Sequence, residues 1–201
     1  MNRNRDNKVK VLEATTRVFK KKGMKFTMDD IAKELSMSKK TIYTIFRDKE
    51  EILYDMVDYA FDKIKESEKQ VLNDHNMDTV EKLRNLLGVL PEGYKELDFR
   101  QLIMLRTKYP VIYQKIEQRL ENGWEATLRL IEQGIEEGVL RPVNLVIFKS
   151  TYEAAIEQFL ERDILISNNI EYADALEEVV AIMVDGIIEK RRGIGWKKGR
   201  R

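Results

Sequence analysis

Apolar residues return every three or four positions along most of this chain, the pattern of amphipathic helices. Val11, Leu12, Ala14, Val18 and Phe19 form the first stripe, which stops at Gly23, a residue suited to closing a helix. A short helix follows from Met28 to Leu35, with Ile31, Ala32 and Leu35 on one face. Thr27 stands before it and Asp30 lies three positions on, the spacing of a capping box with Asp in place of Glu. Ser36-Met37-Ser38 interrupts the pattern, and Ser38 is placed to cap a second short helix from Lys39 to about Phe46. Asp48, with Glu51 three residues on, opens a long third helix through Leu53, Met56, Val57, Ala60 and Ile64.

The later pattern predicts a loop at 73–76 and helices over 78–90, 97–109 and 112–137, the last ended by Gly138. Pro142 suits the first turn of the next helix, where Leu145, Phe148, Tyr152, Ile156 and Phe159 share a face. The most regular stripe is Leu176, Val179, Val180, Met183, Val184, Ile187 and Ile188. Together these predict an all-α protein of about nine helices: a three-helix unit over 1–50, a larger helical unit over 51–192 and a frayed basic tail over 193–201.

Composition removes most other chemistry. The chain has 201 residues, no cysteine and one histidine, His75. Thiol catalysis, thiolate metal sites and multi-histidine zinc sites are therefore out. No Gly-rich phosphate loop follows a strand pattern, and no paired carboxylates stand in a catalytic context, so the expectation is no enzyme, no cofactor and no metal. The longest aliphatic run, Val179 to Val184, is six residues, against about 20 for a membrane span. This predicts a cytoplasmic protein with no membrane partner.

Charge changes the picture more. Net charge is +1, but residues 1–50 hold 14 basic and 7 acidic residues, a net of +7. Residues 51–188 carry −12 and residues 189–201 carry +6. A concentrated positive end is what a polyanion partner needs. The short helix, tight turn and short helix at 28–46 have the layout of a helix-turn-helix, whose second helix enters the DNA major groove. Lys39, Lys40, Thr41 and Thr44 stand where such a helix meets base edges, and the helix starts at Thr27 and Ser38 offer backbone amides to phosphate.

Residues 9–53 resemble the N-terminal domain of the tetracycline-repressor (TetR/AcrR) family of bacterial regulators. The resemblance rests on Val11-Leu12-Glu13-Ala14, Val18-Phe19, Gly23, Thr27, Ile31-Ala32, Ser38, Tyr43, Phe46, Lys49 and Leu53. It implies phosphate contacts from Thr27, Tyr43 and Lys49, with Lys39, Lys40, Thr41 and Thr44 lining the groove. Three positions depart from the family pattern: Ser36 replaces a common Gly, Lys40 a common small residue, and Thr44 a common aromatic or His.

The resemblance also implies a homodimer, a small-molecule effector and a double-stranded operator. The apolar stripes place the dimer interface at Phe148, Tyr152, Val180, Val184 and Ile187. Aromatic residues between 94 and 159 place a ligand pocket at Phe99, Met104, Tyr113, Trp124, Tyr152 and Phe159. The acidic body leaves room for a cationic ligand. The function these point to is a ligand-responsive repressor released from a palindromic operator. The alternative is an architectural DNA-binding protein without a ligand.

Overall fold

The computed structural model describes residues 2–89 and 100–189, with side chains from 5–89 and 104–189. Among them the chain forms α-helices and one isolated bridge, with no named strand. The head comprises α1 (Asn2–Lys22), a 3₁₀ turn (Gly23–Lys25), α2 (Met28–Leu35) and α3 (Lys39–Tyr43). Helix α4 (Lys49–Asn73) runs from the head into the body, where α5 (Thr79–Leu87), α6 (Arg100–Lys108), α7 (Pro110–Glu121) and α8 (Glu125–Glu136) follow. The chain continues through α9 (Leu145–Glu161), the short α10 (Ile164–Ser167) and α11 (Tyr172–Asp185).

The expected caps set the head. Thr27 accepts from the Asp30 amide while the Asp30 carboxylate accepts from the Thr27 amide, so both capping-box bonds are made. Ser38 and Asp48 cap α3 and α4 by accepting from the amides of Thr41 and Glu51. Ser36 takes up a left-handed conformation (φ 51°, ψ 37°) between α2 and α3, the backbone that a glycine would adopt more easily. Beneath these turns Val11, Ile31, Ile42 and Phe46 are essentially inaccessible, which fixes α1, α2 and α3 on one small core.

Helix α4 is long enough to serve both parts. Its 25 residues span roughly 37 Å. It packs on α1 at one end and on α5 and α7 further along. In the body α5 lies against α8 and α11, and α9 against α11. The Leu140–Ile188 bridge ties the chain after α11 to the α8–α9 connection, through Arg141 N–H to Ile187 O (2.8 Å) and Glu189 N–H to Val139 O (2.9 Å). Gly134 permits this closure: a Cβ there would lie 2.6 Å from Leu140 Cδ1.

Several expectations need correction. The segment 112–137 is not one helix. It breaks at 122–124, where Gly123 has φ +86° and its carbonyl accepts from Lys65 Nζ at 2.8 Å. Pro142 lies outside α9, which is capped instead by Asn144, whose side chain accepts from Val146 and Ile147 N–H. Helix α3 stops at Tyr43, and α10 had no counterpart in the pattern. These changes give eleven helices among the described residues.

The expected dimer stripe is the largest correction. Phe148, Val180, Val184 and Ile187 are 4%, 5%, 0% and 3% exposed in a single chain, so they fill its own core. Tyr152 is also turned inward, its hydroxyl donating to Leu87 O at 2.6 Å. The exposed apolar residues of α9 and α11 are instead Val146, Ile147 and Ile182, at 71%, 62% and 63%. Among the described residues, no helix is long and apolar enough to cross a membrane.

Candidate nucleic-acid interface and internal cavity

Helix α3 buries Ile42 and leaves Lys39, Lys40, Thr41 and Tyr43 exposed, with Thr44 beyond its end. One apolar anchor therefore docks the helix and turns its polar residues outward. Ser38 and Thr41 share a hydroxyl contact of 2.8 Å, and Thr44 Oγ1 donates to Thr41 O at 2.6 Å. Lys39 Nζ donates to Asp29 at 2.9 Å, and that carboxylate raises the lysine pKa above its usual value. Lys39 thus links α3 to the start of α2, whereas Lys40 stands out in solvent. Arg47, which the sequence reading passed over, lies just beyond α3 with its side chain 82% exposed. Its Nε donates to the Asp48 carboxylate at 3.1 Å, so its charge is partly engaged at the start of α4.

Lys49 is placed differently from what the resemblance implies. Its ammonium donates to Met24 O at 2.6 Å and Phe26 O at 2.7 Å. It also sits 4.1 Å from the centroid of the Phe26 ring. Burial lowers its pKa, nearby Lys108 lowers it further, and Asp30 works against both. The side chain fastens the start of α4 to the turn between α1 and α2. Thr27 is exposed, but its hydroxyl is engaged with Asp30 (2.9 Å).

The body contains a cavity of about 240 Å³ that is partly open to solvent. Its wall draws on Phe19 of α1, on α4 from Met56 to Glu68, and on Trp124, Tyr152, Ile156 and Tyr172. Of the six residues expected at a pocket, Trp124 and Tyr152 line this cavity, their rings meeting edge to face at 5.3 Å between centroids. Met104 is 45% exposed, Tyr113 is buried against Arg106, and Phe159 packs on Tyr172 outside the wall. Phe99 lies outside the residues whose side chains are described. The α4 wall was missed because its residues read as ordinary helix core.

This arrangement has known counterparts. Residues 11–56 match the family model of bacterial regulatory proteins, tetR family. The head is therefore of the TetR-family type. Its helix-turn-helix is thus the DNA-binding part of a TetR-family transcriptional regulator. The chain is 24% identical over 178 residues to the HTH-type transcriptional regulator YvaF of Bacillus subtilis, covering 89% of this chain and 94% of that one. It is 27% identical over 149 residues to YhgD of the same organism, covering 69% and 74%. A TetR transcription regulator from Haloarcula marismortui superposes with TM-score 0.69 at 18% identity, over 91% of this chain and 98% of that chain. A TetR-family regulator from Cytophaga hutchinsonii gives TM-score 0.69 at 19% identity, over 95% and 99%. At these identities the structural likeness bears on the fold, and it extends through the body as well as the head.

Proposed function

We propose that the protein is a cytoplasmic, homodimeric repressor that leaves a palindromic operator when a small molecule enters the cavity. The supporting observation is one continuous helix shared by both tasks. Helix α4 begins at Lys49, fastened into the DNA-binding head, and its residues 56–68 form a cavity wall that also includes Phe19 of α1. A ligand that repositions α4 acts on the head through that attachment.

The division of labour is a head over 1–50 that meets DNA, a body over 51–192 that binds ligand and partner subunit, and a basic tail over 193–201. On the head, Lys40, Thr41 and Thr44 read bases, while Tyr43, Lys39, Arg47 and the amides at Thr27 and Ser38 hold phosphate. The second subunit covers Val146, Ile147 and Ile182, the exposed large apolar residues of the neighbouring helices α9 and α11. Two heads held by one body fit half-sites a helical turn, about 34 Å, or a multiple of it apart.

The test is a footprint and gel shift on the DNA flanking the protein's own gene. The expected result is protection of one or a few palindromes, relieved by a specific small molecule. Uniform coverage of all DNA with no ligand effect would establish the architectural alternative.

A further inference from the structure

We infer that the cavity selects an uncharged, mainly apolar molecule, with room for one hydrogen-bond donor directed at Tyr152. This rests on reading the cavity as the effector site, and it sets aside the cationic ligand that the acidic body suggests.

Among the described residues, the charges at the wall are Lys65, Glu68 and Arg119. Each already has its counter-charge. Lys65 Nζ donates to both Glu68 oxygens, at 2.9 and 2.7 Å, and to Gly123 O at 2.8 Å, which uses all three of its N–H bonds. Arg119 is held by Asp62 at 2.8 Å and by Asp58 at 3.9 Å. A charged ligand entering here has to break one of these pairs or remain unpaired in an apolar site, and both are unfavourable. Glu68, the one carboxylate among the described wall residues, is therefore already neutralised.

The rest of the wall is aliphatic and aromatic, with few polar side chains. Asn122 directs its amide nitrogen to Gln118 O at 2.6 Å. Tyr152 gives its proton to Leu87 O at 2.6 Å, so its oxygen offers only lone pairs. An alcohol or phenol on the ligand can donate to it. Burial pushes the Tyr152 and Tyr172 phenols well above their ordinary pKa, so the surroundings that would receive the ligand disfavour ionisation.

The experiment uses the full chain carrying Trp196→Phe, which leaves Trp124 as the sole indole. Octan-1-ol, octanoate and octylammonium are titrated at neutral pH, following Trp124 fluorescence, with operator affinity read in parallel. Octan-1-ol is expected to bind at least tenfold more tightly than either ion. Adding Tyr152→Phe is expected to weaken octan-1-ol about threefold while the far-UV spectrum is unchanged. Equal or tighter binding of either ion, or no saturable response to octan-1-ol, overturns the inference. An unchanged octan-1-ol affinity in the Tyr152→Phe chain removes the hydroxyl acceptor from it. Operator release by an ion that also binds preferentially would leave the responsive-repressor reading intact and defeat the charge selection. Selective octan-1-ol binding without operator release would leave the charge selection standing and count against coupling.

Discussion

Replacing Lys49 by Met separates two roles that the same lysine can have. A phosphate contact contributes to DNA binding and little to folding. A lysine bonded to two backbone carbonyls contributes to folding and little to DNA binding. The ammonium makes bonds of 2.6 and 2.7 Å to Met24 O and Phe26 O and lies over the Phe26 ring. Hydrogen bonds to charged groups contribute about 1.5–3 kcal/mol each. Lys49 is only half-buried, so solvent competes for both, and the methionine retains the packing of the alkyl stem. The depressed pKa shows that burying the ammonium carries a penalty that the substitution relieves. The net expectation is a loss of about 2 kcal/mol, or roughly 4–8 °C in Tm for a chain of this size. Urea melts followed by circular dichroism measure the first quantity. Salt titrations on random duplex DNA measure the second, whose slope should not change. A stability within about 0.5 kcal/mol of the parent, with a salt slope smaller by about one unit, would refute the fastening role and restore Lys49 to phosphate.

Three further outcomes are expected. Lys40→Ala weakens operator binding by about 1–3 kcal/mol and spares random DNA, because a cation exposed on α3 can reach a base edge; equal losses on the two DNAs would make it a phosphate contact. Ile182→Asp yields a folded monomer in sedimentation, whereas Val184→Asp, at a fully buried position, unfolds the chain; a dimer unaffected by Ile182→Asp would move the interface elsewhere. Lys22 and the Thr27 amide and hydroxyl hold the Asp30 carboxyl down to about 2, from an ordinary 3.8. Its contribution is complete above about pH 5 and is lost as pH falls through about 2, so the Tm difference between the parent and Asp30→Asn should be constant at higher pH and close across that window.

The head was legible in the sequence because its signals are local. Thr27 with Asp30, Ser38 and Asp48 each act within three residues, and each cap forms where the spacing places it. The body depends on contacts that periodicity does not encode. A helical stripe has the same spacing whether it meets another part of its own chain or a second chain. Val180 and Val184 could therefore be read as an interface although they lie against the chain's own core. Asn122-Gly123-Trp124 sits inside an unbroken apolar rhythm, and a lone Gly there is compatible with a helix. What marks the break is the positive φ of Gly123 and the approach of Lys65 from another helix, 58 residues away in sequence. The cavity failed to show for a similar reason: Met56, Val57, Ala60 and Ile64 read as helix core, and only the packed structure reveals the space beside them.

The contrast between head and body also bears on the order in which the chain assembles. The head closes through partners such as Arg17 with Glu34 and Lys49 with Met24, which are 17 and 25 residues apart. The body closes through Tyr152 with Leu87, 65 residues apart, and Arg84 with Asp185, 101 residues apart. Going from a 25-residue to a 101-residue closure adds about 1.2 kcal/mol of chain entropy before any contact offsets it. Topologies made of near neighbours also fold faster. During synthesis the N-terminal helices emerge first and already have their partners. A chain released early from the ribosome would therefore carry a formed DNA-binding head without the cavity and without the body surface proposed to pair it with a second head.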